Sequence, residues 1–126
     1  SSARMFESEL LIVEKYDQFV DHIYPKLQNM PKRHGQFRDK VLQLLLAIPG
    51  QIYLAIKLKQ ISKLYIIDSS LAELRWMLRF AVSNKVRCIT PNQYSHSMML
   101  LSEVGRLLNG WISNMKHNKG SHGKAQ

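Results

Sequence analysis

Two arginines, Arg75 and Arg79, are the side chains of this sequence best placed to do chemistry together. A helix turns by about 100° per residue, so a spacing of four residues puts both guanidinium groups near one another on the helix surface. A guanidinium forms paired hydrogen bonds to phosphate and stacks on nucleobases, so the pair predicts an anion-binding face. The competing interpretation is ordinary surface pairing, of Arg75 with Asp68 and of Arg79 with Glu103. We favour anion binding.

Other cations cluster in the predicted turns. Lys32 and Arg33 stand in one turn, and Lys57, Lys59 and Lys63 flank the next. In an up-down bundle these two turns lie at opposite ends, because one helix separates them. The spread suits a strip along which a phosphate backbone runs, since phosphates are neutralised by Lys and Arg independently of sequence. A solvated basic surface is an equally good interpretation of the turn lysines.

The charge of the whole chain is uneven. Its 126 residues, enough for one domain, carry a formal net charge of +9. Residues 7–21 hold five acidic residues and one lysine, whereas residues 22–126 hold sixteen basic and four acidic residues. A local excess of this size attracts polyanions, so nucleic acid or an acidic protein is a slightly better expectation than an inert basic surface.

Residues 62–84 predict one helix with three faces: a core stripe, the face of Arg75 and Arg79, and an aromatic face. Its core stripe comprises Leu64, Ile67, Leu71, Leu74, Leu78 and Ala81. On the far side fall Tyr65, Trp76 and Phe80. These aromatic residues predict a subunit interface, and base stacking is the alternative.

Catalytic and metal-binding patterns are not recognisable in the sequence. The single cysteine, Cys88, excludes an internal disulfide, and the five histidines have no ligand spacing. Paired carboxylates, a nucleophile elbow and a glycine-rich phosphate loop are not found. We therefore expect a protein that is not an enzyme and that needs no metal or cofactor.

One apolar stretch, residues 41–58, superficially resembles a membrane span. It is interrupted by Gln43, Gln51 and the Pro49–Gly50 pair, and it is short for a bilayer that needs about 20 apolar residues. We interpret it as a buried helix, expect no membrane partner, and expect a cytoplasmic protein.

Periodicity predicts an all-α, up-down four-helix bundle over residues 5–116. The first helix runs over about residues 5–29, the second over 35–59 and the third over 62–84. The fourth starts at TPNQ, residues 90–93, with Thr90 as N-cap and Gln93 closing a capping box. Pro49–Gly50 must bend or split the second helix. Residues 1–4 are interpreted as a cloning remnant, and residues 117–126 as a disordered basic tail.

Six segments carry a resemblance to a known family. They are LIVEKYDQFVDHIYP (residues 11–25), PKRHG (31–35), SKLYIID (62–68), LRWMLRF (74–80), ITPNQY (89–94) and EVGRLLNGWI (103–112). In this order and spacing they resemble the accessory variability determinant (Avd) proteins of diversity-generating retroelements. These belong to the wider four-helix-bundle family that includes proteins encoded by intervening sequences in ribosomal RNA genes. The Pro49–Gly50 pair departs from the uninterrupted helix that the resemblance implies.

The resemblance implies a ring-like homopentamer with a basic surface, in a prokaryotic or phage-infected cell. It implies a non-catalytic accessory role beside the retroelement's reverse transcriptase, with template RNA and cDNA as further partners, in mutagenic retrohoming. Matching the family's segments residue by residue assigns nucleic-acid or polymerase contacts to six cations. They are Lys32, Arg33, Lys63, Arg75, Arg79 and Arg106.

Three other functions compete with this expectation. A relative of the ribosomal intervening-sequence proteins would bind RNA without a polymerase partner. A peripheral membrane protein would use its basic face on anionic lipid, although no helix sets bulky apolar residues opposite a lysine-rich face. A hydrolase or nuclease would need carboxylates or metal ligands, and only four acidic residues follow residue 21.

Overall fold

The computed structural model describes the backbone of residues 2–125, and the side chains of Glu7 and of residues 9–118. Four α-helices account for most of this part of the chain: α1 (Ser2–Gln28), α2 (Gly35–Leu58), α3 (Ile61–Val82) and α4 (Pro91–Ala125). A short 3₁₀ turn, Lys32–His34, precedes α2. No strand occurs in the described backbone, so the all-α prediction is confirmed.

The helices form an up-down bundle in which each one contacts two others. Helix α1 packs on α2 and α4, and α3 packs on α2 and α4. The α1–α2 connection and the α3–α4 loop therefore lie at one end of the bundle, and the α2–α3 link lies at the other. We call the second of these the hairpin end. The fold of one chain does not determine how copies assemble, and the homopentamer stays a proposal.

The core stripe predicted on α3 is confirmed. Every one of its six members is fully buried: Leu64, Ile67, Leu71, Leu74, Leu78 and Ala81. They meet the buried faces of the other three helices, including Phe19 of α1 and Leu108 of α4. Removing such side chains from water is the main force that holds the bundle together.

Helix α2 is continuous through Pro49, so the proline does not split it. Its inner face is buried at Val41, Leu45, Ile48, Ile52 and Ala55. Its outer face is apolar too, which makes the stretch Lys32–Leu58 the one described helical stretch long and apolar enough to cross a membrane, with a mean hydropathy of 1.7 over its most apolar 18 residues. The prediction of a buried helix therefore holds for its inner face only.

The link between α2 and α3 is two residues long. Lys59 ends α2 in the left-handed region at φ 55°, and its backbone N–H donates to the carbonyl of Ala55 at 2.9 Å. Gln60 is extended and leads into α3. Such a tight connection forces α2 and α3 to be antiparallel neighbours.

The start of α4 is the predicted capping box. The Gln93 backbone N–H donates to Thr90 Oγ1 at 3.1 Å, and the Thr90 backbone N–H donates to Gln93 Oε1 at 3.0 Å. Both groups would otherwise lack partners at the helix start.

At its other end, α4 is helical to Ala125, which takes in residues 117–125 of the segment predicted as a disordered tail, residues 117–126, and residue 126 lies outside the described backbone. The side chains from residue 119 onward and those of residues 1–4 lie outside the described ones. The domain boundaries at residues 4 and 117 stay predictions.

Candidate nucleic-acid interface

Five cations from three parts of the chain gather at the end of the bundle opposite the hairpin end. Lys32 and Arg33 come from the 3₁₀ turn, Arg79 from the last turn of α3, and Lys85 and Arg87 from the α3–α4 loop. All five are exposed. We call this set the basic end. None of its members forms an ion pair within the described part of the chain, so their charges face solvent.

The α3–α4 loop is held against the bundle by its own apolar residues. Val86 and Ile89 are buried, and the Cys88 backbone N–H donates to the carbonyl of Ala81 at 2.8 Å. Arg87 adopts a left-handed conformation at φ 49°, which turns the chain between these two anchors. Lys85 and Arg87 are thereby fixed on the outside of an ordered loop.

Arg33 lies close enough to this loop for its charge to act on Cys88. Burial raises the pKa of the Cys88 thiol, and the Arg33 guanidinium partly offsets that rise. The half-buried, hydrogen-bonded thiol points to a packing role for Cys88. The same proximity joins the 3₁₀ turn and the loop into one basic surface.

Arg79 stands beside two of the predicted interface aromatics. Trp76 and Phe80 stack with ring centroids 5.6 Å apart and an interplanar angle of 7°. Phe80 also meets Phe37 of α2 edge to face at 5.1 Å. Trp76, Arg79, Phe80 and Ser83 line a shallow, mostly apolar depression of about 170 Å³.

Arg75 occupies a different place from Arg79. It is half-buried, and its Nη2 lies 2.8 Å from the position that a Cβ on Gly105 would take. Gly105 of α4 is itself buried, so the absence of a side chain there leaves room for the guanidinium. Neither Arg75 with Asp68 nor Arg79 with Glu103 forms an ion pair among the described side chains.

The remaining two predicted cations do not join the basic end. Lys63 lies in the first turn of α3, at the hairpin end. Arg106 is exposed on α4 and donates to Glu103, with its Nε 3.2 Å from Oε2. That bond lowers the pKa of Glu103 and raises the pKa of Arg106. The charge of Arg106 is therefore partly neutralised by its own helix.

The three predicted interface aromatics do not form one cluster. Tyr65 lies eleven residues before Trp76, about 16 Å along the helix, and the ammonium of Lys116 sits 5.8 Å from its ring centroid. Tyr65 and Trp76 are 45% and 53% exposed, whereas Phe80 is half-buried within the subunit. Phe80 thus already has neighbours, and the other two present free ring surface.

A broad apolar surface extends over the outside of α2 and α3. Seven large apolar side chains of these two helices are exposed by 45% or more: Leu46, Tyr53, Leu54, Leu58, Tyr65, Ile66 and Trp76. We call this set the outer apolar face. So many exposed apolar side chains on neighbouring helices are typical of a surface that is covered in an assembly.

Sequence reasoning missed two members of the basic end, Lys85 and Arg87. Up-down topology carried the signal, because it puts the α1–α2 connection and the α3–α4 loop at the same end. The described residues contain no group of three or more His, Cys, Asp or Glu that could hold a metal ion. The chemistry that the basic end offers is the binding of anions, chiefly phosphate.

Fold and composition together define a class, that of small, basic, all-α four-helix bundles. Within that class, the chain belongs to the bAvd-like family, whose sequence model matches residues 10–115. This match confirms the resemblance to Avd noted in the sequence. No curated protein sequence matches the chain.

Proposed function

We propose that the chain is a non-catalytic accessory protein of a diversity-generating retroelement. In this role it binds the reverse transcriptase and the template RNA or cDNA, and it supports mutagenic reverse transcription in the cytoplasm of a prokaryotic or phage-infected cell. Membership of the bAvd-like family supports the accessory role. The observation that carries the nucleic-acid contact is the basic end, where five exposed cations converge without ion-pair partners among the described residues.

Phosphate contacts at the basic end would come first from Lys32, Arg33 and Arg79. Lys85 and Arg87 extend the same surface and raise its positive potential. Arg75, Lys63 and Arg106 are then secondary contacts, since one is half-buried, one lies at the hairpin end and one is paired with Glu103. Binding of this kind is independent of sequence and sensitive to salt.

Self-association is the second part of the proposal. The outer apolar face would be covered by neighbouring copies in a homopentamer, with Tyr65 and Trp76 in the contact and Phe80 supporting Trp76 from below. Light scattering after size exclusion would then give about 73 kDa, five times the 14.6 kDa chain. Leu54→Glu should release smaller species, whereas Met99→Glu, on the exposed side of α4, should not.

The deciding experiment measures binding of the purified chain to a structured RNA and to the neighbouring reverse transcriptase, at low and high salt. A variant without Lys32, Arg33, Lys85 and Arg87 is compared with one without Lys57 and Lys59, which lie at the hairpin end. Loss of RNA binding in the first variant alone supports the basic end as the site. Equal loss in both variants would replace it with a strip along the bundle.

The same purified proteins also distinguish the proposed function from two rival functions. Binding of RNA without binding of the polymerase would favour a role like that of the ribosomal intervening-sequence proteins. Co-sedimentation with anionic vesicles tests the membrane alternative. This test is included because the stretch Lys32–Leu58 is long and apolar enough to cross a membrane. Binding to neither RNA nor polymerase would contradict the proposal.

A further inference from the structure

A groove runs between α1 and α4, away from both the basic end and the outer apolar face. Glu9 and Ile12 line it from α1, and Leu107, Gly110 and Trp111 line it from α4. Its cavity volume is about 130 Å³, which suits one large side chain better than a cofactor. Gly110 contributes no side chain, and a Cβ built there would meet nothing within 4 Å.

The carboxylate of Glu9 is the unusual group in this groove. The residue is only 8% exposed, and no described side chain or backbone group donates a hydrogen bond to it. Burial raises the pKa of Glu9, and the charge of Lys59 partly offsets that rise without forming an ion pair. Burial disfavours the charged form of this carboxylate, so a cation that reaches the groove would stabilise that form.

The other walls favour the same kind of ligand. Trp111 is 7% exposed and borders the groove, where its ring can pack against an alkyl stem or an ammonium group. Arg106 also borders the groove, but its guanidinium is bonded to Glu103. An apolar wall beside a buried carboxylate is complementary to a lysine or arginine side chain.

The net negative charge of α1 favours a protein rather than a nucleic acid as the source of that side chain. The outer face of α1 carries a stripe of exposed carboxylates at Glu7, Glu14, Asp17 and Asp21, and none of them is ion-paired among the described residues. This stripe repels phosphate and attracts a basic segment. Leu10 and Leu11, next to Glu9 in sequence, are 44% and 36% exposed and could meet apolar residues of the same segment.

We infer that the α1–α4 groove binds a basic segment of a protein partner, and that one lysine or arginine of this segment inserts beside Glu9 and Trp111. The inference rests on the proposed function for the identity of that partner, the reverse transcriptase. It separates two tasks on one small bundle. Phosphate binds at the basic end, and the polymerase binds at the α1–α4 groove.

The groove itself is tested with small probes that do not depend on the polymerase. Chemical-shift changes of the labelled protein are followed while N-acetyl-lysine methylamide is added, with the neutral N-acetyl-norleucine methylamide as the matched probe. The lysine probe should bind at least tenfold more tightly and should shift Gly110 and Trp111. Glu9→Gln removes only the charge, and it should abolish the preference. Equal affinity of the two probes for the unchanged protein would overturn the site.

The partner is tested with the reverse transcriptase and two bulk-matched variants. Gly110→Leu fills the groove, whereas Asn109→Leu adds the same side chain at a neighbouring exposed position of α4. Both replacements suit a helix interior, so folding should be preserved. Glu9→Gln and Gly110→Leu should weaken polymerase binding at least tenfold and leave RNA affinity within twofold, and Asn109→Leu should behave like the unchanged chain.

The alternative outcomes are distinct. Unchanged polymerase binding in both groove variants would overturn the assignment of the partner. A lower oligomeric mass in those variants would show that a second copy occupies the groove, which also overturns it. If the unchanged chain binds no polymerase, the proposed function fails, whereas the lysine probe still decides whether the groove accepts a cationic side chain.

Discussion

The hydroxyl of Tyr16 on α1 donates a hydrogen bond to the backbone carbonyl of Leu45 on α2. Leu45 lies four residues before Pro49, which has no N–H, so this carbonyl is the one that loses its helical donor. Tyr16 is only 1% exposed, and burial raises the pKa of its hydroxyl, which keeps the proton on the donor. A neighbouring helix thus supplies the hydrogen bond that allows α2 to continue through a proline.

The first prediction concerns this compensation. Tyr16→Phe should lower the free energy of unfolding by about 1–3 kcal/mol, because it leaves a buried carbonyl without a donor. In a Pro49→Ala background the helix supplies its own N–H at that carbonyl, and the same substitution should cost clearly less. Urea denaturation of the four proteins gives the coupling. Equal costs in both backgrounds would show that the Tyr16 bond does not compensate for the proline.

The capping box at the start of α4 gives a second prediction. Thr90→Ala should lower the free energy of unfolding by about 1 kcal/mol, because the Gln93 N–H loses its acceptor. Thr90→Ser keeps the hydroxyl and should cost much less. Thermal denaturation followed by circular dichroism compares the two. Similar melting temperatures for Ala and Ser would mean that the cap contributes little.

A third prediction concerns the two glycines of α4. Gly110→Ala should stabilise the protein by up to about 1 kcal/mol through helix propensity, since its Cβ meets open space. Gly105→Ala should gain less, because its Cβ would force the Arg75 guanidinium to move. In an Arg75→Ala background the two replacements should have similar effects. A larger gain from Gly105→Ala with Arg75 present would contradict the close approach.

A fourth prediction follows from the environment of His22. Burial lowers its pKa, and the positive charges of Lys26 and His96 lower it further, although its bond to the Gln93 carbonyl opposes them. Because the folded pKa lies below the unfolded one, the unfolded chain takes up more protons near pH 6.5, and stability should fall as the pH drops through that value.

Denaturation midpoints between pH 8 and pH 5 measure the effect. His22→Gln should flatten the profile, whereas His117→Gln, at an exposed position of α4, should leave it as it is. A profile that keeps its slope without His22 would place the titrating group elsewhere.

The presence of four helices and the buried stripe of α3 could be predicted from the sequence, because both depend on local periodicity. Leu64 and Ala81 mark a stripe that any packed neighbour would bury, and Thr90 and Gln93 bond within one turn. Helix α2 ends at Leu58 instead of the predicted residue 59, because Lys59 adopts the left-handed conformation that caps the helix.

The arrangement of the site could not be predicted in the same way. Helix α2 runs through Pro49, and the Leu45 carbonyl that the proline leaves without a donor is bonded by Tyr16, which lies 29 residues from Leu45 in the chain. Arg75 and Arg79 looked equivalent in the sequence, but only a neighbouring helix with a glycine at position 105 gives Arg75 its half-buried place. Arg87 becomes part of the basic end through tertiary contacts of the loop around it.

The two-residue link at Lys59 has a consequence for the order of events during folding. Closing so short a connection takes well under a microsecond, whereas a contact between α1 and α4 closes a loop that comprises most of the chain and costs more entropy. We expect the α2–α3 hairpin to be formed in the transition state. Ile52→Val and Ile67→Val should therefore slow refolding, whereas Ile12→Val and Leu108→Ala should mainly speed unfolding in stopped-flow experiments.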